Sequence, residues 1–242
     1  MKSTAEILKE SFFFVKNNIV GICSVLLPII LPLEILYSII ERVASEPDAH
    51  RTLSWGRMLI DSLLYPIYGG GLILYLSSVL AGKDWGPLQC YKVALKYWPN
   101  LFVLYVVASV MTLIGLAMFI IPGIVVVCRL GFAEFICVLE NKKVTDSFSM
   151  SWQSTRQYQW ILFKGVLILF AVIHAPALVV GEFLSGLERD NLLLDVAGGC
   201  LYTILLSVIT VYLFRVYSLH KEKSKTNQNK IPRDPPGSDY GV

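Results

Sequence analysis

The fold is decided by one uncharged stretch, residues 97–128, with the sequence YWPNLFVLYVVASVMTLIGLAMFIIPGIVVVC. As a single helix at about 1.5 Å per residue it would be about 48 Å long, whereas the hydrocarbon core of a bilayer is about 30 Å thick. Pro122-Gly123 lies inside the stretch, and this dipeptide favours a turn. We therefore predict two membrane-spanning segments here, residues 101–121 and 123–139.

The composition of the whole chain fits a membrane protein. Of its 242 residues, 55% are hydrophobic and 16% are charged, whereas a soluble domain carries about 25% charged residues. So much apolar surface exceeds what one soluble core can bury, and lipid must solvate part of it. Four further apolar runs are long enough to span a bilayer as helices, at residues 19–40, 58–80, 160–180 and 192–215.

These runs predict an all-α fold, a polytopic membrane bundle of six transmembrane helices within a single domain, residues 1–219. Irregular backbone cannot face lipid, and the runs lack the alternation of apolar and polar residues that a membrane β-barrel requires. Residues 220–242 are polar and rich in proline, so they predict a disordered cytoplasmic tail.

The distribution of Lys and Arg predicts the orientation of the bundle. With the N-terminus inside, fifteen cations fall in the cytoplasmic parts, and only four fall in the outer loops: Arg42, Arg51, Arg57 and Arg189. The positive-inside rule then places both termini in the cytoplasm. We expect a multi-pass protein of a bacterial inner membrane, with membrane lipids as its partners.

Three predicted cytoplasmic stretches each carry an apolar stripe at helical spacing. Each ends in an amide just before a span, at Asn18, Asn100 and Gln159. Short amphipathic helices of this kind lie in the headgroup layer. One interpretation is a three-hairpin pseudo-repeat, an architecture found among transport folds. The other is the ordinary enrichment of Trp, Tyr and Lys at the inner interface of a membrane protein.

We single out five candidate intramembrane polar residues within the predicted spans: Glu34, Arg129, Glu134, Lys164 and His174. Ionisable groups at this depth are costly and often functional. We expect Glu34 to pair with Arg129 and Lys164 with Glu134, either as ion pairs that hold the helices in register or as the lining of a pathway. Lys164 has the alternative of reaching out to the interface. His174 is expected as a helix-packing hydrogen-bond partner, with a proton relay as the alternative.

Signatures of catalysis are absent from the sequence, which contains no H-E-x-x-H, G-x-S-x-G, P-loop or G-x-G-x-x-G. We therefore predict no catalytic residue, no metal and no cofactor, although short intramembrane motifs leave an enzyme open. Nucleic-acid binding is not expected, because no basic face with interleaved aromatic residues lies outside the spans. The five cysteines form no C-x-x-C pair.

Part of the chain resembles a known family. The pattern comprises a Pro-Gly-Ile turn, an apolar helix that ends in a short acidic loop, and a Ser-rich helix with a Trp, here residues 121–124, 129–140 and 147–157. It is similar to the YciC-type family of uncharacterised bacterial inner-membrane proteins, and to the membrane domain attached to some glycerophosphodiester phosphodiesterases. The resemblance implies a six-helix inner-membrane protein and identifies no catalytic residue.

Two functions follow from these observations. The first is a non-enzymatic protein that supports envelope or lipid homeostasis, or transports a small amphipathic molecule. The second is a membrane scaffold or module for a partner protein. A wet cavity joining Glu34, Arg129 and Glu134 would favour transport or catalysis, whereas a dry and fully paired interior would favour a scaffold.

Overall fold

A computed structural model describes residues 2–43, 47–83, 85–185 and 191–228. Within these residues the chain is helical and contains no strand, and a short 3-10 helix, Thr155–Gln157, precedes α7. The helices in chain order are α1 Thr4–Val43, α2 Pro47–Leu80, α3 Pro87–Met118, α4 Ile120–Leu130, α5 Ala133–Leu139, α6 Val144–Ser154, α7 Gln159–Ser185 and α8 Leu192–Gln228.

The prediction of an all-helical, multi-pass membrane protein is confirmed. Among the described residues, five helical stretches are long and apolar enough to cross a membrane, and they overlap five of the six predicted spans. On α3, Leu113 is 64% exposed and Ile114 is 58% exposed, as a lipid-facing surface requires. The five stretches are Thr4–Val43, Leu53–Leu80, Pro87–Met118, Gln159–Pro176 and Leu192–Ser224.

The junction inside the longest apolar stretch lies at Phe119, and the predicted position at Pro122-Gly123 is wrong. Phe119 has extended backbone (φ −166°, ψ 155°) between α3 and α4. Pro122 instead lies in the first turn of α4. Backbone N–H groups in a first turn have no helical partner, so a proline there costs no hydrogen bond.

The predicted fourth span, residues 123–139, is not one helix. α4 ends at Leu130 and α5 begins at Ala133, with a turn between them. Both short helices fold back along α3. Gly123 lies so close to Leu116 that an added Cβ would overlap it, and Tyr105 of α3 contacts α5. The predicted hairpin therefore forms, but its returning arm is broken.

The three predicted amphipathic stretches are separated from their spans to different degrees. α1 is kinked at Asn18, which has non-helical backbone (φ −117°, ψ 16°). α3 runs without interruption through Asn100, whereas α6 and the 3-10 helix end before Gln159, where α7 begins. The structure thus marks the first and third boundaries, and the second stretch is continuous with its span.

The helices assemble mainly as antiparallel neighbours, with α1 along α8 and α2 along α3. Tyr212 illustrates how closely they approach: it is fully buried, and its hydroxyl donates to the Ile161 carbonyl of α7 at 2.7 Å. Apolar side chains from most helices form one core between them. Its fully buried members include Ile22, Ile73, Leu76, Leu101, Phe132, Phe135, Leu162 and Leu169.

The predicted disordered tail is helical over its first part, because α8 continues to Gln228. Lys221 lies 2.7 Å from Glu140, the residue that follows α5, so this extension also has a tertiary contact. A helix already formed by the apolar span adds further residues without a new nucleation cost. The remaining tail, residues 229–242, lies outside the described residues.

Candidate functional site

One group of polar side chains lies where α1 meets α2, and we call it the Glu34 cluster: Glu34, Tyr37, Arg57 and Asp61. Arg57 Nη2 donates to both carboxylate oxygens of Glu34, at 3.1 and 3.2 Å. Arg57 Nε lies 3.8 Å from Asp61 Oδ2, and the Tyr37 hydroxyl donates to Asp61 Oδ1 at 2.9 Å. The guanidinium lies 4.5 Å from the Tyr37 ring centroid. One cation therefore joins two carboxylates and an aromatic ring.

Glu34 is the buried member of this cluster, since it is only 8% exposed. It lies against α8 at Gly199, where an added Cβ would overlap the carboxylate. A buried charge requires a paired counter-ion, and Arg57 provides it. The predicted pairing of Glu34 with Arg129 is therefore wrong. Glu34 and Arg57 lie on neighbouring helices. Their separation of 23 positions in the sequence did not indicate that they would pair.

A cavity of about 160 Å³ adjoins the Glu34 cluster. It lies between α1 and α2, and its lining includes Tyr37, Glu41, Arg57 and Ile60. Close to it, Arg42 Nη2 donates to Asp195 Oδ2 at 2.7 Å and ties α1 to the start of α8. The cavity is local to this end of the bundle and is not lined by the other polar residues of the spans.

Glu134 lies in the first turn of α5 and accepts a hydrogen bond from the Tyr105 hydroxyl of α3. The Tyr105 ring meets Tyr65 of α2 edge-on, with centroids 4.7 Å apart. The predicted pairing with Lys164 is wrong, because Lys164 is exposed on α7 and forms no salt bridge within the described residues. Glu134 is therefore held by a neutral partner in an aromatic environment.

Arg129 lies in the last turn of α4 and contacts Trp152 of α6 in two ways. Its Nη1 donates to the Trp152 carbonyl at 3.1 Å, and its guanidinium lies 5.4 Å from the centroid of the indole ring. Its Nε is buried and has no hydrogen-bond partner in the described part of the chain. Arg129 thus links α4 to α6, and it does not pair with a carboxylate among the described residues.

The break between α4 and α5 is capped by side chains of α6 and the 3-10 helix. The Phe132 backbone N–H donates to Ser151 Oγ at 3.2 Å, and the Ser151 hydroxyl donates to the Arg129 carbonyl at 2.7 Å. The Thr155 hydroxyl lies 3.2 Å from the same carbonyl, although its shortest hydrogen bond, at 2.7 Å, is donated to the Ser151 carbonyl. Backbone groups at a helix end need such partners away from water. The third amphipathic stretch therefore holds the broken arm in place.

His174 joins α7 to α8 through both ring nitrogens. Nε2 lies 3.0 Å from the Tyr202 hydroxyl, and Nδ1 lies 3.0 Å from the Phe170 carbonyl oxygen. The imidazole also stacks on the Phe170 ring, with centroids 3.8 Å apart. These contacts suit a helix-packing residue, and a proton-relay role stays a prediction.

Sequence reasoning missed an ionic contact between the two ends of the chain. Arg215 Nε of α8 donates to Glu10 Oε2 of α1 at 3.0 Å, and Lys2 pairs with the other oxygen of Glu10. Glu10 and Arg215 are 205 positions apart, so only the antiparallel arrangement of α1 and α8 brings them together. The predicted topology put both residues on the cytoplasmic side, and this was the only available signal.

A cleft of about 230 Å³ opens beside this contact, and we call it the terminal cleft. It lies between the kinked part of α1 and α8. Its lining surface is mostly apolar but includes several polar side chains, and a ligand with both apolar and polar groups can use both. The apolar lining residues are Phe13, Phe14, Leu80, Val211 and Phe214, and the polar ones are Glu10, Ser11, Asn17, Asn18 and Arg215.

The described residues do not converge on one reactive centre. No group of three or more His, Cys, Asp or Glu among them is placed to hold a metal ion. All five cysteines are free thiols, and four of them are buried. The chemistry that this arrangement offers is ionic and hydrogen-bonded contact at separate places in the bundle.

Comparison with known proteins identifies a family. The family described as "Uncharacterised protein family (UPF0259)" matches residues 52–219. The UPF0259 membrane protein of Buchnera aphidicola (strain Tuc7) is 25% identical over 150 residues, which are 62% of this chain and 60% of that protein. The one from Photorhabdus laumondii is 24% identical over 152 residues, which are 62% of this chain and 57% of that protein. The chain thus aligns with about three fifths of each relative's length.

No solved structure matches this chain. The resemblance to an uncharacterised family of bacterial membrane proteins is confirmed by the family match. The likeness to the membrane domain of glycerophosphodiester phosphodiesterases is not tested by these matches and stays a prediction. The matched region runs from α2 to α8 and includes Arg57, Glu134 and the capped helix break. The chain belongs to UPF0259, an uncharacterised protein family with bacterial membrane proteins among its members.

Proposed function

We propose that this protein supports the lipid balance of the bacterial envelope by binding an amphipathic molecule at the side of the bundle, without conducting it through the centre. The observation that carries the proposal is the terminal cleft, whose lining is mostly apolar and includes the charged pair Glu10 and Arg215. Transport through the centre is less favoured, because Glu34, Arg129 and Glu134 each bind a different partner and belong to separate clusters.

The proposed topology places the cleft in the inner leaflet. We propose six crossings of the inner membrane with both termini in the cytoplasm, and α4 with α5 as the fourth crossing. Their return along α3 and the concentration of Lys and Arg near the termini support this arrangement. The three-hairpin pseudo-repeat belongs to the same proposal, supported by the boundaries at Asn18 and Gln159.

A reporter fusion tests this topology. A reporter fused just after Gly123 is expected to read as periplasmic, and one fused after Leu139 as cytoplasmic. A cytoplasmic signal at Gly123 would overturn the layout, and a periplasmic signal at Leu139 would show that α4 and α5 turn back on the outer side.

Complementation of a deletion strain tests the function. We expect loss of the gene to change the phospholipid composition of the inner membrane, measured by mass spectrometry, and to lower growth in deoxycholate. The variant Asn17→Trp fills the cleft from an exposed position and should not restore either property. Lys16→Trp adds the same side chain next to it, outside the cleft lining, and should restore both. Restoration by both variants, or a deletion strain with normal lipids and growth, would contradict the proposal.

A scaffold for a partner protein is the second candidate, and ionic ties at both ends of the bundle favour it. Arg42 with Asp195 joins α1 to α8 at one end, and Lys221 with Glu140 joins α8 to the loop after α5 at the other. These salt bridges hold the helices in one arrangement, and a docking surface for a partner protein requires such a fixed arrangement. The scaffold predicts a partner that co-purifies with the full chain and is lost when residues 220–242 are removed.

A further inference from the structure

We call Glu10, Arg215 and Lys2 the rim of the terminal cleft; Glu10 and Arg215 line the cleft, and Lys2 lies next to it, outside the lining. Glu10 is the acid of the cleft lining, and two cations bind it: Lys2 pairs with Oε1, and Arg215 Nε donates to Oε2 at 3.0 Å. Two cations with one carboxylate leave a net charge of +1 in this group. An anion that approaches the rim is therefore attracted, even though a carboxylate is present.

Arg215 has N–H groups that can donate hydrogen bonds to that anion. Its Nε is occupied by Glu10, but neither of its two Nη groups has a partner within the described residues. Its side chain is 30% exposed and lines the cleft. The planar fork of a guanidinium binds phosphate through two hydrogen bonds, which a lysine cannot reproduce.

The apolar residues that line the cleft form a wall that can bind a hydrocarbon chain. Phe13 is 65% exposed although it is aromatic, and Phe14, Val211 and Phe214 continue the apolar surface toward the bundle. A small soluble anion would leave this wall uncovered. A molecule that carries both an acyl chain and an anionic group would cover the apolar wall with its chain and accept hydrogen bonds from Arg215 with its anionic group.

The kink in α1 connects the terminal cleft with a second one. Asn18 lines both, and its amide donates to the Phe14 carbonyl at 2.9 Å, which stabilises the bend. The second cleft has a volume of about 360 Å³, and its lining includes Tyr75, Lys83 and Trp85. Lys and Trp side chains are typical of the headgroup level of a bilayer. The two clefts are therefore neighbours that share Asn18 at the kink.

On the basis of the proposed function, we infer that the ligand of the terminal cleft is a glycerophospholipid. Its phosphate binds the Nη groups of Arg215, and its acyl chain lies on Phe13, Phe14 and Phe214. Glu10 is a positioning residue, since it holds the guanidinium through Nε and leaves the Nη fork facing the lipid. The phosphate, and not the acyl chain alone, determines which lipid binds.

Native mass spectrometry of the purified full chain in detergent micelles tests this inference. The probes are phosphatidic acid and diacylglycerol with identical acyl chains, with glycerol 3-phosphate as a soluble competitor. The unchanged protein should bind phosphatidic acid at least about tenfold more tightly than diacylglycerol, as expected for a hydrogen bond to a charged group. This comparison needs no variant, so it decides the question even if a substitution at Arg215 prevents folding.

Variants separate phosphate binding from a purely structural ion pair. Arg215→Gln should lose the preference for phosphatidic acid, and Arg215→Lys should keep part of it. Glu10→Gln should keep the preference, because the amide oxygen still accepts the hydrogen bond from Arg215 Nε and holds the guanidinium in place. Lys96→Gln, an exposed cation on α3, is the matched control and should behave as the unchanged protein. Melting temperatures of all four are measured alongside.

Three results would overturn the inference: equal binding of the two lipids by the unchanged protein, equal loss of the preference in Glu10→Gln and Arg215→Gln, or displacement of the lipid by an equal concentration of glycerol 3-phosphate. If complementation still distinguishes Asn17→Trp from Lys16→Trp, the proposed function stands and only the phosphate specificity fails. If the preference holds but complementation does not distinguish them, the site stands and the function fails.

Discussion

Replacing Arg57 by Gln removes the cation that faces the buried carboxylate of Glu34. Unit charges about 4 Å apart interact by about 4 kcal/mol at an effective dielectric constant near 20. Arg57 is 44% exposed, and water screens a pair of this kind, so we expect roughly half of that value, about 2 kcal/mol of lost stability. For a chain of this size the melting temperature should fall by about 4–8 °C.

The double variant makes this prediction specific to the pair. Glu34→Gln in the Arg57→Gln background removes the carboxylate that was left without a counter-ion, so it should restore most of the lost stability. The assay is thermal unfolding in detergent micelles, followed by circular dichroism. Lys96→Gln is the matched control and should change stability by less than about 0.5 kcal/mol. The single variant Glu34→Gln is measured as well. If the stability losses of Arg57→Gln and Glu34→Gln simply add in the double variant, the stability of Glu34 does not depend on Arg57 and the reasoning is refuted.

The remaining predictions concern other contacts between helices and use the same unfolding assay. Ser151→Ala should destabilise the protein by about 1–3 kcal/mol, because the backbone groups of the helix break lose their cap; an unchanged melting temperature would contradict this. Tyr105→Phe should cost a similar amount, whereas Glu134→Gln should cost less, since an amide oxygen still accepts the tyrosine proton; the reverse order would contradict the assigned hydrogen bond. Gly199→Ala should lower the melting temperature by displacing the Glu34 carboxylate, and a neutral effect would show that the close approach is relaxed.

The candidate site could be predicted only as a set of residues. Glu34, Arg129 and Glu134 stand out because charge is rare in apolar runs, and that signal is local in the sequence. Their partners are not local: Glu34 pairs with Arg57, and Glu134 accepts its bond from Tyr105. Arg129 donates to a main-chain carbonyl. Every residue has such a carbonyl, so the sequence could not indicate this partner. Pairing acids with bases therefore gave the wrong partners for these residues.

The sequence by itself determined that this is a helical, multi-pass membrane protein, because run length and hydropathy are properties of consecutive residues. It also marked the stretch 97–128 as too long for one crossing. Only the tertiary structure decided where that stretch breaks and what caps the second break, since Phe119 has no turn signature and Ser151 is supplied by a different helix. The terminal cleft is likewise tertiary in origin, because most of its lining comes from α1 and α8, which lie at opposite ends of the chain and meet only when the two helices pack together.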